Sequence, residues 1–199
     1  NTATSAGVTM SVSPVVTPTI TISSTNSVCV GGVATFSATI TNGGAAPTYQ
    51  WKVNGNNQGT NSATFSTTSL TNGAVVTCVL TSNATCVTQT QVTSNAVTIS
   101  VNPVVTPSVS IQASNTTICA GVSVTFTAAP TNGGNTPSYQ WLVNGSNQGT
   151  NSPTFTSTTL NNGDIVTVVM TSNAPCPSQA TATSNAVTMI VNPSVAPTV

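Results

Sequence analysis

The sequence predicts an all-β chain of tandem antiparallel β-sandwiches, from three observations: apolar residues at every second position, turn residues between short runs, and a long internal repeat. Runs such as Val33-Ala34-Thr35-Phe36-Ser37-Ala38 and Thr77-Cys78-Val79-Leu80-Thr81 are β-branched and half apolar, the pattern of strands with one buried face. No segment carries a convincing helical stripe. Asn42-Gly43-Gly44, Asn54-Gly55 and Asn72-Gly73 fall between the runs, where Asn and Gly tolerate the positive φ of tight turns.

The repeat has a period of about 90 residues. Tyr49-Gln50-Trp51 returns as Tyr139-Gln140-Trp141, Gln58-Gly59-Thr60-Asn61-Ser62 as Gln148-Gly149-Thr150-Asn151-Ser152, and Thr93-Ser94-Asn95-Ala96-Val97-Thr98 as Thr183-Ser184-Asn185-Ala186-Val187-Thr188. Pro14-Val15-Val16-Thr17-Pro18 and Pro103-Val104-Val105-Thr106-Pro107 open the two copies, and Pro193-Ser194-Val195-Ala196-Pro197 has the pattern of a third opening. Residues 4–14 align with 93–103, so residues 1–13 read as the last strand of a preceding repeat. The expected division is 1–13, a repeat at 14–102, a repeat at 103–192, and the start of another at 193–199. The leading strand is expected to pair with a preceding domain, to stay free, or to add to a neighbouring molecule's sheet.

In the first copy, strands are expected near 19–24, 33–41, 48–54, 63–69, 75–82 and 93–101, with a short one near 56–60. Alternation points Phe36, Ala38, Trp51, Val76, Cys78 and Leu80 inward, and Phe126, Trp141, Val166 and Met170 in the second copy. Trp51 follows Ala38 by 13 residues, near the place of the buried Trp of an immunoglobulin-like sandwich, and Cys78 has the spacing of that fold's second cysteine. The first cysteine of that pair is absent, since Ala38 and Ala128 occupy its place, and Val168 stands where Cys78 does. A slot that accepts Cys or Val is apolar, so Cys78 is expected to be a buried free thiol.

Composition excludes much chemistry. The 199 residues hold one Lys (Lys52), one Asp (Asp164), and no Arg, Glu or His. General acid-base catalysis needs His or paired carboxylates, and zinc or calcium sites need clustered Cys, His or acidic oxygens. No catalytic site, cofactor site or metal site is therefore expected. The same lack of charge argues against binding nucleic acid or anionic lipid. Ser, Thr and Asn supply about two-fifths of the chain, and their hydroxyls and amides are left to provide solubility. With no apolar run of about 18 residues and no cleavable leader, the chain is expected neither to insert in a membrane nor to carry its own export signal. Sequons at Asn83, Asn115 and Asn144 are what chance produces in so Asn- and Thr-rich a chain.

Cys29 and Cys119 occupy equivalent positions in the two copies, as do Cys86 and Cys176. This recurrence suggests disulfides and an oxidising compartment. The simplest pairing joins Cys29 to Cys86 and Cys119 to Cys176. Against it, Cys29 precedes the turn after the first strand and Cys86 follows the sixth, which places them at opposite ends of a sandwich on the order of 25 Å long, whereas a disulfide spans Cα atoms about 4.4 to 6.8 Å apart. A cross-repeat pairing of Cys29 with Cys176 is a second reading, and free thiols or pairs with Cys78 a third.

The segments Cys119-Ala120-Gly121, Val124-Thr125-Phe126, Pro137 to Gly145, Asn162-Gly163-Asp164 and Thr183 to Thr188 resemble the PKD-like or Ig-like repeats of giant Bacteroidetes surface proteins, including gliding-motility adhesins of the SprB type. The absence of cysteine at Val168 departs from that family's pattern. The resemblance implies type IX secretion, display on the outer membrane as a long extracellular filament, and surface attachment during gliding. On the residues alone, the expectation is a structural, non-enzymatic repeat arranged head to tail with its neighbours, indifferent to chelators and in contact with adjacent repeats, and also with other filaments, surfaces or polysaccharide. The competing readings are a repeat that itself binds glycan or surface ligands, and a noncatalytic accessory domain of a secreted enzyme.

Overall fold

The computed structural model describes residues 1–194 and contains strands and turns with no helix among them. Its contacts divide the chain into two units, Asn1–Asn102 and Pro103–Val199. The proposed opening of a further repeat at 193–199 lies almost wholly outside the described residues. Residues 1–13 form no strand, and Val8, Met10 and Val12 stand exposed.

The first unit is an immunoglobulin-like sandwich. One sheet joins β1 (Thr19–Ser24), β3 (Ala34–Thr41) and β6 (Thr64–Thr67) in the order β1-β3-β6, all antiparallel. The other runs β5-β4-β7-β8, from β5 (Asn56–Gln58) through β4 (Thr48–Val53) and β7 (Val75–Thr81) to β8 (Gln91–Thr93), with β9 (Val97–Thr98) also on β7. A separate pair sets β2 (Ser27–Cys29) parallel to β10 (Ser100–Asn102). The second unit repeats this plan. Its first sheet is β11 (Ser108–Ala113), β13 (Val124–Thr131) and β16 (Thr154–Ser157). Its second holds β14 (Ser138–Val143), β15 (Ser146–Gln148), β17 (Ile165–Thr171), β18 (Thr181–Thr183) and β19 (Val187–Thr188), and its parallel pair is β12 (Thr117–Cys119) with β20 (Ile190–Asn192).

The inward set follows the alternation. Phe36, Trp51, Val76, Cys78 and Leu80 are fully buried in the first unit, as are Phe126, Trp141, Val166, Val168 and Met170 in the second. Ala38 is only half-buried at the edge of the cluster. Phe65, Ile99 and Met189 join the core without having been marked by the alternation. Phe65 stacks on both Trp51 and Phe36, with centroids 5.7 and 5.8 Å apart, and Phe155 repeats this against Trp141 and Phe126 at 5.7 and 6.0 Å. Offset ring pairs of this kind add to the burial of large apolar surface.

The repeated segment at Gln58 to Ser62 exists to seat that aromatic cluster. Gly59 has φ +71, and a Cβ there would meet the Phe65 ring at 2.8 Å. Asn61 Oδ1 accepts the Tyr49 amide at 2.8 Å, and the Ser62 carbonyl accepts the Trp51 indole N–H at 2.9 Å. A buried indole needs such an acceptor. Asn151 and Ser152 repeat both bonds at 2.8 and 2.9 Å.

The final strand differs from the sequence expectation of one continuous run at 93–101. It is broken, because the register on β7 shifts by one residue between Thr93, opposite Val79, and Thr98, opposite Val75. The Thr-Ser-Asn-Ala-Val-Thr repeat forms this bulge and satisfies the groups it strands. Ser94 Oγ accepts the Cys78 amide at 3.0 Å. Asn95 turns to the opposite sheet, where its amide accepts Ile22 N at 2.8 Å and donates to Ile22 O at 3.0 Å. Asn185 does the same at Ile111, at 2.9 and 3.2 Å. One side chain thereby closes the open edge of β1 against the other layer.

Replacing Asn95 or Asn185 by Ala strands a partly buried N–H and C=O, and each change is expected to destabilise its own unit by about 1–3 kcal/mol. Urea unfolding of the single variants checks this; a loss no larger than that of an exposed Asn such as Asn57 would refute the bridging role.

Candidate functional site

Each unit has two poles, marked by where the chain comes in and where it leaves. At the N-terminal pole, Val16 bridges Val87; its amide donates to the Cys86 carbonyl at 2.9 Å, and its carbonyl accepts Thr88 N at 2.9 Å. Asn42 Nδ2 donates to Thr17 O at 2.8 Å, and Ser82 Oγ donates to Asn42 O at 2.9 Å. At the C-terminal pole, Cys29 ends β2 opposite Asn102 of β10, and Val30 N donates to Asn102 O at 3.0 Å. Asn72 Oδ1 accepts Val101 N at 3.0 Å beside them. The second unit places Cys176 next to Val105 (Val105 N to Cys176 O, 2.9 Å) and Cys119 opposite Asn192, with Ala120 N on Asn192 O at 2.9 Å.

This placement corrects the within-repeat pairing. Cys29 does not join Cys86 and Cys119 does not join Cys176, because the members of each pair sit at opposite poles. The seven residues of β7 run from one pole to the other, about 20 Å at 3.4 Å per residue, against a limit near 6.8 Å for the Cα atoms of a disulfide. Cys86 and Cys119 are exposed free thiols, whereas Cys29 and Cys176 are disulfide-bonded.

Cys78 is a third free thiol of another kind. It faces Trp51 across the β4–β7 pair at 0% exposure, and burial pushes its pKa up to about 11. Thiolate is the reactive form, so this sulfur is inert while folded. Val168 fills the equivalent place opposite Trp141, also fully buried.

The one acid is a turn clamp. Asp164 Oδ2 accepts Asn161 N at 2.7 Å and Oδ1 accepts Asn144 Nδ2 at 2.8 Å. The Asn161 amide, then the Asn144 side chain, holds the carboxyl below its ordinary pKa. It borders an open cleft of about 320 Å³ with Gln148, Phe155 and Leu160. Ala74 stands at the corresponding position in the first unit. Both carboxylate oxygens serve the fold, and among the described residues no three His, Cys, Asp or Glu side chains gather as metal ligands. Two of the sequon amides are likewise engaged: Asn83 Oδ1 accepts Ala46 N at 3.0 Å and Asn144 Oδ1 accepts Ile165 N at 2.9 Å.

No protein-family profile matches the chain, and no curated protein does. Among solved structures it is similar to the fibronectin(III)-like modules of Clostridium thermocellum CbhA, at 15% identity and TM-score 0.43, over 87% of this chain and 95% of that one. It is also similar to murine CEACAM1b, at 15% identity and TM-score 0.44, over 87% of this chain and 100% of that one.

Alkylation at pH 8 is expected to label Cys86 and Cys119 quickly and Cys78 only after unfolding. A thiol whose folded pKa is raised stabilises the fold below its unfolded value, so that contribution holds up to about pH 9 and falls away as the pH rises towards 11. Cys78→Val should remove this alkaline loss, and prompt labelling of Cys78 in the native protein would contradict its burial. Asp164 works in the other direction: its depressed pKa gives the second unit a contribution present above about pH 4 and lost as the pH falls through the folded value. Asp164→Asn should flatten that acid limb in thermal melts.

Proposed function

We propose that this chain is a structural spacer of an extracellular, cell-surface adhesin filament: a noncatalytic repeat whose work is to carry the chain outward by one sandwich length at a time. The observation that carries this reading is the position of the termini within each unit. The first unit is threaded from Val16 at one pole to Asn102 at the other, and the second from Val105 to Asn192. A sandwich threaded end to end adds its own length to a chain, whereas one whose termini return to the same side does not.

Chemistry supports the passive reading. The side chains that look most available for recognition are the Asn amides, and those of Asn42, Asn54, Asn61, Asn72, Asn83 and Asn95 are bonded to the chain's own backbone. Trp51 and Trp141 are fully buried, so neither presents a ring to a sugar. The cysteine chemistry suits an oxidising, extracellular setting. Display on the outer membrane of a Bacteroidetes cell, export by the type IX route and service in gliding rest on the resemblance of the repeat segments.

Two measurements test the proposal. The two-repeat protein on a glycan array and on coated surfaces should give no saturable binding; specific retention of a ligand would replace the spacer with an adhesive module. A chelator should leave the melting temperature unchanged, since one Asp cannot supply the six to eight oxygens of a calcium site. A drop on adding chelator would require a metal that this reading does not contain.

A further inference from the structure

Six Asn-Gly pairs stand at repeat-related turns: Asn42-Gly43 with Asn132-Gly133, Asn54-Gly55 with Asn144-Gly145, and Asn72-Gly73 with Asn162-Gly163. An Asn amide is least protected before Gly, whose backbone nitrogen has no Cβ beside it to block an attack on the Asn side-chain carbonyl. The structure sorts the six. The Gly73 and Gly163 amides, which would be the nucleophiles, donate to Ile99 O and Met189 O at 2.9 Å. Gly43 and Gly133 are buried, and the Asn42 and Asn132 side-chain amides donate to Thr17 O and Thr106 O at 2.8 and 3.1 Å. That leaves the two hairpin tips. Nothing stands within 4 Å of where a Cβ on Gly55 or Gly145 would lie, and neither glycine N–H has a partner among the described residues. Asn54 Oδ1 accepts Val75 N and Asn144 Oδ1 accepts Ile165 N, both at 2.9 Å. A backbone N–H held on that oxygen also stabilises the oxyanion that forms when the side-chain carbonyl is attacked.

The tips differ in one neighbour. Asn144 Nδ2 donates to Asp164 Oδ1 at 2.8 Å, whereas Ala74 holds that place in the first unit and Asn54 Nδ2 has no partner among the described residues. We propose that Asn54 is a site of spontaneous conversion to aspartate and isoaspartate, and that Asp164 shields the equivalent Asn144 from the same reaction. Gly55 N attacks Asn54 Cγ, its proton passes through water to Nδ2, and ammonia leaves as the new C–N bond closes a succinimide. Water then opens the ring at either carbonyl, to aspartate or to isoaspartate, and nothing is oxidised or reduced. On the way to the ring the attacking nitrogen and the carbonyl oxygen carry negative charge, so a carboxylate beside them raises the barrier. The Asn161 amide, then the Asn144 side chain, keep Asp164 ionised at neutral pH. Conversion of Asn54 adds a negative charge to a chain of zero net charge, two residues from its one Lys. Isoaspartate also lengthens the backbone of the β4–β5 turn by a methylene.

Peptide mapping of the 199-residue protein by mass spectrometry, during incubation in mildly alkaline buffer, tests the proposal. Asn54 is expected to convert first and Asn144 about tenfold more slowly, the ratio that a barrier difference of about 1.4 kcal/mol produces. Equal rates at the two tips, or earlier conversion of Asn42 or Asn72, would overturn it. Asp164→Asn keeps an oxygen acceptor without the charge and should bring Asn144 to the rate of Asn54; an unchanged Asn144 removes the shielding role. The converse change, Ala74→Asp, should slow Asn54. Loss of structure speeds such conversion, so slowing cannot come from a destabilised fold, and faster conversion would count against the shield. In urea, where both hairpins are lost, the two tips should convert alike. A difference that survives there belongs to the flanking residues Asn56 and Ser146 and refutes the part given to Asp164.

Discussion

The fold depends on asparagine side chains standing in for backbone. A sandwich of short strands leaves N–H and C=O groups unpaired wherever a strand bulges or a hairpin turns, and each one buried without a partner costs more than an ordinary hydrogen bond contributes. In this chain an Asn amide meets such groups at one place after another. Asn54 accepts Val75 N at 2.9 Å, holding the β4–β5 hairpin to β7, while Asn95 bridges the two layers and Asn72 steadies β10. The second unit repeats these with Asn144, Asn185 and Asn162. Part of a composition that reads as a polar surface is scaffolding, since these Asn side chains bond the chain's own backbone. Because an amide does not titrate, this scaffold holds without ion pairs, with one Lys and one Asp in the whole chain.

The hydrophobic half of the architecture was legible in the sequence because the strand period of two is a strong constraint. It singled out Phe36, Trp51, Val76 and Leu80, all fully buried, and their counterparts in the second copy. The polar half was not. Thr93 to Thr98 read as one straight strand, although the odd spacing from Val92 to Val97, both packed against the core, is the trace that the bulge leaves in the sequence. The parallel strand β2 was missed for a different reason: three residues ending at a Cys and a Gly turn read as a connection, and a parallel partner some 73 residues away leaves no local trace. Phe65 is the one large apolar residue of a strand otherwise made of Ser and Thr, so no run of alternating apolar residues marks its inward face.

The cysteines show the limit of pairing by recurrence. Equivalent positions in two copies suggested a bond inside each copy, and the sandwich length of about 20 Å forbids it. What recurrence encodes instead is place: one cysteine at each end of every unit. Cys78, which has the sequence spacing of a disulfide half, is a buried free thiol, and its slot in the second unit is filled by Val168. Both side chains are fully buried, so the same apolar slot takes a sulfur in one unit and a branched alkyl group in the other.

The parallel alignment of β2 with β10 has a mechanical consequence. With the disulfide at Cys29 reduced, tension on the chain would pull β10 outward beyond Asn102 while drawing β2 back through β1 towards Val16, so that the two strands slide past one another along their length. Their hydrogen bonds lie across the pull and have to fail together, whereas a hairpin pulled from its open end unzips rung by rung. A short ribbon of three residue pairs at the mouth of each sandwich is thereby set to act as a clasp against stretching.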